Sequence, residues 1–297
     1  MAIAAALWGT DGLLRLPLAE NLPAATVVFW EHLIIATLLL PLLPSALRAL
    51  ARCGPREWGA VLLIGGGASA LATALFTAAF QTGDPVTPLV LQKLQPLFAV
   101  LAAFVVLGER LRLGYLFFAV PALAGAWLLA FADPFDVRVS ALRTALLALG
   151  AAALWAGGTV LGRLVSAKLR PRDVTALRFT IGLPVAAGIV AAQGSPFAVS
   201  WDNATGLVLL AVVPGLLALS LYYVGMQATP AARATLAELA FPATAAVISV
   251  TVLDSTMSAT QWFGLAVVVC SVTALGWHER SRKETVVVTT EEVRVST

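Results

Sequence analysis

The sequence predicts an all-α polytopic membrane protein with ten transmembrane helices, arranged as two inverted five-helix repeats. The first observation is composition: the 297 residues are 60% hydrophobic and only 12% charged, whereas soluble domains have roughly 25% charged residues. The second is ten apolar runs of about the 20 residues that a bilayer crossing requires. The third is that landmarks of the first five runs recur, in the same order, in the second five.

Turn-forming residues such as glycine, proline and asparagine divide the chain into ten spans. The predicted spans cover residues 2–19, 24–44, 57–80, 86–107, 112–132, 142–165, 173–193, 204–225, 232–253 and 260–278. The connecting loops are too short for a soluble domain. We therefore expect a single transmembrane domain over 1–278, with repeats at 1–135 and 140–278. The polar tail, 279–297, is predicted to be disordered and cytoplasmic.

Lysine and arginine cluster in the loops after spans two, four, six and eight and in the tail, whereas the alternate loops carry Asp84, Asp202 and Asp254. Basic loops stay on the cytoplasmic side. Both termini are therefore predicted to be cytoplasmic, in a multi-pass protein of the cell (inner) membrane. The net charge of +3 reflects these short loops, and we expect no nucleic-acid partner.

The two halves align at an offset of 146 or 147 positions. The aligned pairs are Trp8 with Trp155, Phe76 with Tyr223, Gln92 with Glu238, and Pro96 with Pro242. Because each half has an odd number of spans, the second half must enter the membrane from the opposite side. The sequence therefore predicts an inverted repeat.

Spans four and nine combine polar groups with a proline. Gln92 and Lys93 precede Pro96, and Glu238 lies four residues before Pro242. A charged side chain in hydrocarbon is costly, so it should face the protein interior or a water-filled cavity. Proline cannot donate its backbone hydrogen bond, which favours a kink. Matched kinked helices indicate a central transport site, with the two prolines as candidate hinges.

Both charged side chains have a binding and a structural interpretation. Lys93, with Gln92 beside it, could bind a substrate carboxylate, or Lys93 could extend to the membrane edge, as long basic side chains do. Glu238 could bind an amine or carry a proton, or it could form a structural hydrogen bond to a neighbouring helix. The sequence alone leaves these alternatives open.

Aromatic residues near mid-span are candidates for the wall of an apolar cavity, because tyrosine and tryptophan also supply hydrogen-bond donors. These candidates are Trp8, Phe76, Trp155, Tyr222 and Tyr223. The alternative is ordinary packing or lipid contact. The repeat-related pairs favour the cavity.

Span two carries Glu31 and His32, which are candidates for coupling, since histidine suits proton relay. The alternative is an ion pair or a histidine hydrogen-bonded at a helix interface. Neighbours on a helix point about 100° apart, so the two are not expected to face one cavity. Asp11 and Arg15 have the i, i+4 spacing of an intrahelical salt bridge, and we predict that structural role.

Several short motifs recur in fixed order. They are Ala6-Leu7-Trp8-Gly9, Ala153-Leu154-Trp155, Leu94-x-Pro96, Ala240-x-Pro242 and Leu107-Gly108-Glu109-Arg110. In order and spacing over residues 1–278, the chain resembles the drug/metabolite transporter superfamily, specifically its EamA-type exporters, and most closely the aromatic amino-acid exporter branch. The resemblance implies a cavity lined mainly by spans one, three, four, six, eight and nine. Family members often have an arginine early in span two, where this chain has Glu31-His32; the second half keeps Arg178.

We therefore expect a secondary transporter that exports small organic solutes by alternating access, best fitted by amino acids with aromatic or large apolar side chains. Transport of another metabolite or drug class is the alternative. An intramembrane enzyme or a channel is a more distant one, because no clustered catalytic set is found and a channel would not need matched hinges. We expect no enzymatic activity, no cofactor and no metal. The expected partners are the solute and the bilayer, with protons as a candidate coupling ion and a monomeric assembly.

Overall fold

The computed structural model describes residues 1–81, 91, 94–108, 113–130, 133, 142–230, 234, 237–238, 240–252, 256–271, 273–274 and 277–278. Within these residues every regular element is a helix. Gln92, Lys93 and the tail 279–297 lie outside the described residues. The predicted all-α, ten-span fold in two repeats is confirmed.

The first repeat contains spans one to five, several of which consist of consecutive helical segments. Their bounds are Ala2–Trp8 and Asp11–Asn21 for span one; Ala24–Leu39, Leu40–Leu42 (3-10) and Leu43–Ala51 for span two; Pro55–Leu62, Leu63–Leu71 (π) and Ala72–Gln81 for span three; Gln95–Leu107 for span four; and Leu113–Ala130 for span five. Span one is thus divided at Gly9 and Thr10, which the sequence did not predict.

The second repeat contains spans six to ten. Their bounds are Leu142–Ser166 for span six; Pro171–Ala192 for span seven; Trp201–Asn203 (3-10), Ala204–Leu210, Ala211–Leu217 (π) and Ala218–Met226 for span eight; Ala240–Thr251 for span nine; and Ala259–Ser271 for span ten. Spans three and eight, the third helices of their repeats, both contain a π-helical segment. Such segments frequently occur at functional sites.

Five of the described helices are long and apolar enough to cross a membrane, and three more are shorter but apolar. Large apolar side chains on their outer faces are exposed, such as Phe117, which is 82% exposed. Water would disfavour such a surface, whereas lipid tails would not. The protein is therefore a multi-pass membrane protein.

Spans two, three and seven cross closely at two glycines. A Cβ atom on Gly182 would lie 2.7 Å from Cδ2 of His32 and 2.9 Å from the carbonyl oxygen of Gly65. A Cβ atom on Gly65 would lie 2.9 Å from the carbonyl oxygen of Arg178. Small residues allow helix backbones in membranes to approach closely. This crossing sets the positions of His32 and Arg178.

Spans four and nine each contain a turn shortly before a helix that carries a proline. Leu94 is in a turn, and Pro96 occupies the first turn of the helix that follows, where its missing N–H breaks no helical hydrogen bond. Glu238 is likewise in a turn before the helix that contains Pro242. The predicted kinks are thus helix restarts at matched places in the two repeats.

The ends of the spans on the side of the basic loops are tied together. Lys168 Nζ lies 2.5 Å from Glu57 Oε1, which joins the loop after span six to the start of span three. Arg163 Nη1 donates to the Met226 carbonyl oxygen at 2.8 Å, which joins span six to the end of span eight. The first contact joins the two repeats at that end, and the second joins two spans of the second repeat.

Candidate functional site

A cavity of about 440 Å³ lies between the two repeats, with side chains from spans one to nine on its wall. This volume is within the range of small-molecule sites, roughly 300–1,000 Å³. Eight of the candidate residues line it: Trp8, Glu31, His32, Phe76, Pro96, Trp155, Tyr222 and Glu238.

The remaining candidates lie elsewhere. Tyr223 is fully buried and packs against Gly162 rather than lining the cavity. Pro242 lies in the helix Ala240–Thr251, but its side chain is outside what the structure describes. The expected binding roles of Gln92 and Lys93 stay predictions, because both residues lie outside the described ranges.

Spans two, five and seven contribute to the wall in addition to the six spans expected to dominate it. The expectation that Glu31 and His32 cannot face one cavity is wrong, since both line it. Glu31 points towards Arg15 of span one, and His32 points towards Ser69 of span three. Because the cavity extends around span two, side chains about 100° apart both reach it.

The carboxylate of Glu238 is held by three neutral donors from three spans. Its Oε1 atom accepts from the Tyr222 hydroxyl at 2.6 Å and from Thr159 Oγ1 at 3.2 Å, and Oε2 accepts from Gln95 Nε2 at 3.0 Å. A distance of 2.6 Å is typical of a hydroxyl bound to an ionised carboxylate. Among the described residues, these partners satisfy the carboxylate without a cation.

Arg15, in span one, forms an ion-pair network elsewhere on the cavity wall. Its Nε and Nη2 atoms lie 2.6 and 2.7 Å from the two carboxylate oxygens of Asp11, and Nη2 lies 3.2 Å from Glu31 Oε2. The predicted salt bridge between Asp11 and Arg15 is thus present. Since two carboxylates share one guanidinium, the network carries a net negative charge.

Arg178 is part of a chain of hydrogen bonds from span seven to span two. Its Nε donates to Ser69 Oγ at 3.3 Å, and its Nη1 donates to the Tyr223 hydroxyl at 3.2 Å. Ser69 Oγ lies 2.9 Å from His32 Nε2, while His32 Nδ1 lies 2.8 Å from the Val28 carbonyl oxygen. A carbonyl can only accept, so Nδ1 carries a proton, and in the neutral imidazole Nε2 accepts from the Ser69 hydroxyl.

Two aromatic pairs connect the repeats. The ring centroids of Trp8 and Tyr222 lie 5.0 Å apart, and those of Phe76 and Trp155 also lie 5.0 Å apart. Each pair joins one residue of each repeat, and Trp8 is the repeat equivalent of Trp155. The partner equivalent to Phe76 is therefore Tyr222, one residue before the Tyr223 that the sequence alignment selected.

One pair of equivalent residues in the two repeats carries opposite charges. Glu31 and Arg178 are 147 positions apart, which is the offset of Trp8 and Trp155. They are therefore equivalent positions in spans two and seven, and they carry opposite charges. Both side chains line the cavity.

Four functional candidates were missed from the sequence: Ser69, Gln95, Thr159 and Arg178. Arg178 had a usable signal, because an arginine inside an apolar span is costly and usually functional. Thr159 lies one helical turn after Trp155 and shares its face. Ser69 had no signal, because it lies in a run of small residues typical of helix packing.

Comparison with known proteins gives four findings. The model of the EamA-like transporter family matches residues 1–131 and 142–277. The riboflavin transporter ImpX of Fusobacterium nucleatum subsp. nucleatum is 30% identical over 293 residues, covering 92% of this chain and 94% of that protein. The uncharacterized transporter YwfM of Bacillus subtilis is 25% identical over 281 residues, covering 95% and 94%. A solved crystal structure with 20% identity has the same fold, with a TM-score of 0.74 over 94% of this chain and 96% of its own.

Proposed function

The chain belongs to the EamA-like transporter family, and from this premise we propose that it exports amino acids with aromatic or large apolar side chains. It is a small-solute transporter rather than an enzyme. The amino-acid substrate and the outward direction are the proposed part. Transport would proceed by alternating access around the central cavity.

The observation that carries the proposal is the two aromatic pairs, Trp8 with Tyr222 and Phe76 with Trp155, on the wall of a cavity that also contains Glu238. An aromatic side chain buries about 150–250 Å². At about 25 cal/mol per Å², its complete burial contributes roughly 4–6 kcal/mol. Glu238 would bind the ammonium group of the substrate. Gln92 and Lys93 remain candidates for binding the other polar groups of the substrate.

The interruptions of spans four and nine support a moving element at this site. We propose Pro96 and Pro242 as hinges, because each lies beside a helix restart. Pro96 itself lines the cavity, and Glu238, just before the second restart, also lines it. Glu31 and His32 are the proposed coupling groups, with protons as the coupling ion. A pH gradient should then change the rate of uptake.

A second candidate substrate is a flat heteroaromatic molecule such as riboflavin. The observation that favours it is the 30% identity to a protein named as a riboflavin transporter. Its ring system would also contact the two aromatic pairs. It has no ammonium group, however, and would not make the contact with Glu238 that is proposed for an amino acid.

The test is uptake of labelled phenylalanine into proteoliposomes, with and without a pH gradient, in competition with leucine, riboflavin, a sugar and a phosphate ester. We expect leucine to compete and the sugar and phosphate ester not to compete. Trp155→Ala should weaken uptake, whereas Trp201→Ala should not, because Trp201 is 90% exposed and does not line the cavity. Uptake of labelled riboflavin, without uptake of phenylalanine, would replace the amino-acid proposal.

We also propose that the protein is a monomer in the inner membrane with both termini in the cytoplasm. The basis for the orientation is the clustering of basic residues in alternate loops. In a variant without Cys53 and Cys270, an impermeant thiol reagent added to intact cells should label a cysteine at Asp202 and not one at Arg170. The reverse labelling pattern would contradict this orientation.

A further inference from the structure

We infer that Arg178 is the anion-recognition residue of the cavity and binds the carboxylate of the transported amino acid. Together with Glu238 it would recognise a zwitterion. This inference rests on the proposed amino-acid substrate and assigns the carboxylate to a residue in span seven.

The first observation is that the Arg178 guanidinium lines the cavity and has N–H donors available for a ligand. It has five N–H donors, and the hydrogen bonds found within the described residues go to the two neutral hydroxyls of Ser69 and Tyr223, at 3.3 and 3.2 Å. No carboxylate in the described part of the chain lies within salt-bridge distance of it. Arg15, by contrast, is paired with two carboxylates.

The second observation is that the guanidinium is held in place from two sides. Tyr223 is fully buried, and its ring packs against span six at Gly162, where a Cβ atom would lie 3.1 Å from Tyr223 Cε1. Ser69 is also buried and is fixed by its hydrogen bond to His32 Nε2. A guanidinium held by such partners is preorganised for the planar, two-point binding of a carboxylate.

The third observation is that the opposite charges of Arg178 and Glu238 are kept apart. Adjacent tyrosines of span eight hold them: Tyr222 binds Glu238, and Tyr223 binds Arg178. A cavity with a separated cation and anion is complementary to a ligand that carries an ammonium and a carboxylate group.

The cost of the arrangement supports the same inference. A cation without a charged partner inside a membrane span is expensive. Arg178 has neither of the structural roles seen at Arg15, which pairs with carboxylates, and at Arg163, which binds backbone carbonyl oxygens. A bound carboxylate would supply the missing partner.

The test compares phenylalanine, which has both charged groups, with phenylalaninamide, which lacks the carboxylate, and 3-phenylpropionate, which lacks the ammonium group. Equilibrium binding of each to the purified full-length protein is measured by titration calorimetry. The wild-type protein should prefer phenylalanine over its amide by about 10- to 100-fold, since hydrogen bonds to charged groups are worth this much. In Arg178→Gln this preference should fall to within about twofold, while the preference over 3-phenylpropionate is kept.

Two further variants separate binding from folding. Tyr223→Phe keeps the buried ring and removes the hydroxyl that positions the guanidinium, so it should reduce the same preference partially. Arg172→Gln removes a positive charge from the same span outside the cavity, where Arg172 is half-exposed and 3.9 Å from Asp173, and should leave the preference unchanged.

The outcomes distinguish the inference from the proposed function. If the wild-type protein binds phenylalanine and Arg178→Gln retains the full preference over the amide, the inference is overturned and the amino-acid substrate stands. If the wild-type protein binds none of the three compounds, both the proposed substrate and the inference are overturned.

Discussion

Replacing Gly182 with alanine should destabilise the crossing of spans two, three and seven. The added Cβ atom would lie 2.7 Å from His32 Cδ2, whereas ordinary contact begins at 3.4 Å, so the side chains or helices must separate by 3.4 − 2.7 = 0.7 Å. Overpacking of this kind costs about 1–3 kcal/mol. Alanine gains only about 0.5–1 kcal/mol over glycine in a helix. We expect a net loss of about 1–2 kcal/mol in the free energy of unfolding.

The measurement is unfolding of the purified protein in mixed micelles with increasing SDS, followed by helical circular dichroism. Gly188→Ala is the matched control, because its Cβ atom would have no neighbour within 4 Å in the same span. Since the clash also displaces His32, phenylalanine binding should weaken in Gly182→Ala alone. Equal stability and equal binding of the two variants would refute the close-crossing argument.

Three further predictions concern substrate affinity, the rate of transport and the stability of the basic-loop end. Tyr222→Phe removes the 2.6 Å hydrogen bond to the cavity carboxylate, so phenylalanine affinity measured by calorimetry should fall about 10- to 100-fold; unchanged affinity would rule out a binding role for that carboxylate network. Pro96→Ala and Pro242→Ala should slow proteoliposome uptake far more than they weaken binding, because hinges control the opening step; parental uptake rates would contradict the hinges. Glu57→Gln breaks the contact with Lys168, and because that lysine is 56% exposed the pair should contribute little to stability. Thiol labelling at the basic-loop end should then accelerate no more than about fivefold, and a large loss of stability would show a different role.

The sequence predicted the features that depend on local pattern. Apolar runs gave the spans, and the repeat placed Trp8, Phe76 and Trp155 together on the cavity wall. The helix restarts near Pro96 and Pro242 followed from the chemistry of proline, although the sequence suggested kinks within continuous helices.

The features that were missed depend on register and on long-range contacts. An offset of one residue turns a helical side chain by about 100°, which is why the alignment paired Phe76 with Tyr223, whereas Tyr222, which was also a candidate, lines the cavity. The π-helical segments of spans three and eight change register in this way without an evident sequence signal. The contact of Arg178 with Ser69 joins residues 109 positions apart, and no local pattern encodes it.

The opposite charges at Glu31 and Arg178 have a consequence for energetics. In an inverted-repeat transporter, the two facing states arise when the repeats exchange their conformations. If the repeats were identical, the two states would be related by the two-fold axis in the membrane plane and would have equal affinity for a solute. Because Glu31 is an acid and the equivalent Arg178 is a base, the exchange of conformations between the repeats reverses the electric field along the path of the solute through the cavity. The two facing states should therefore differ in affinity for a charged solute, which would load the carrier preferentially from one side.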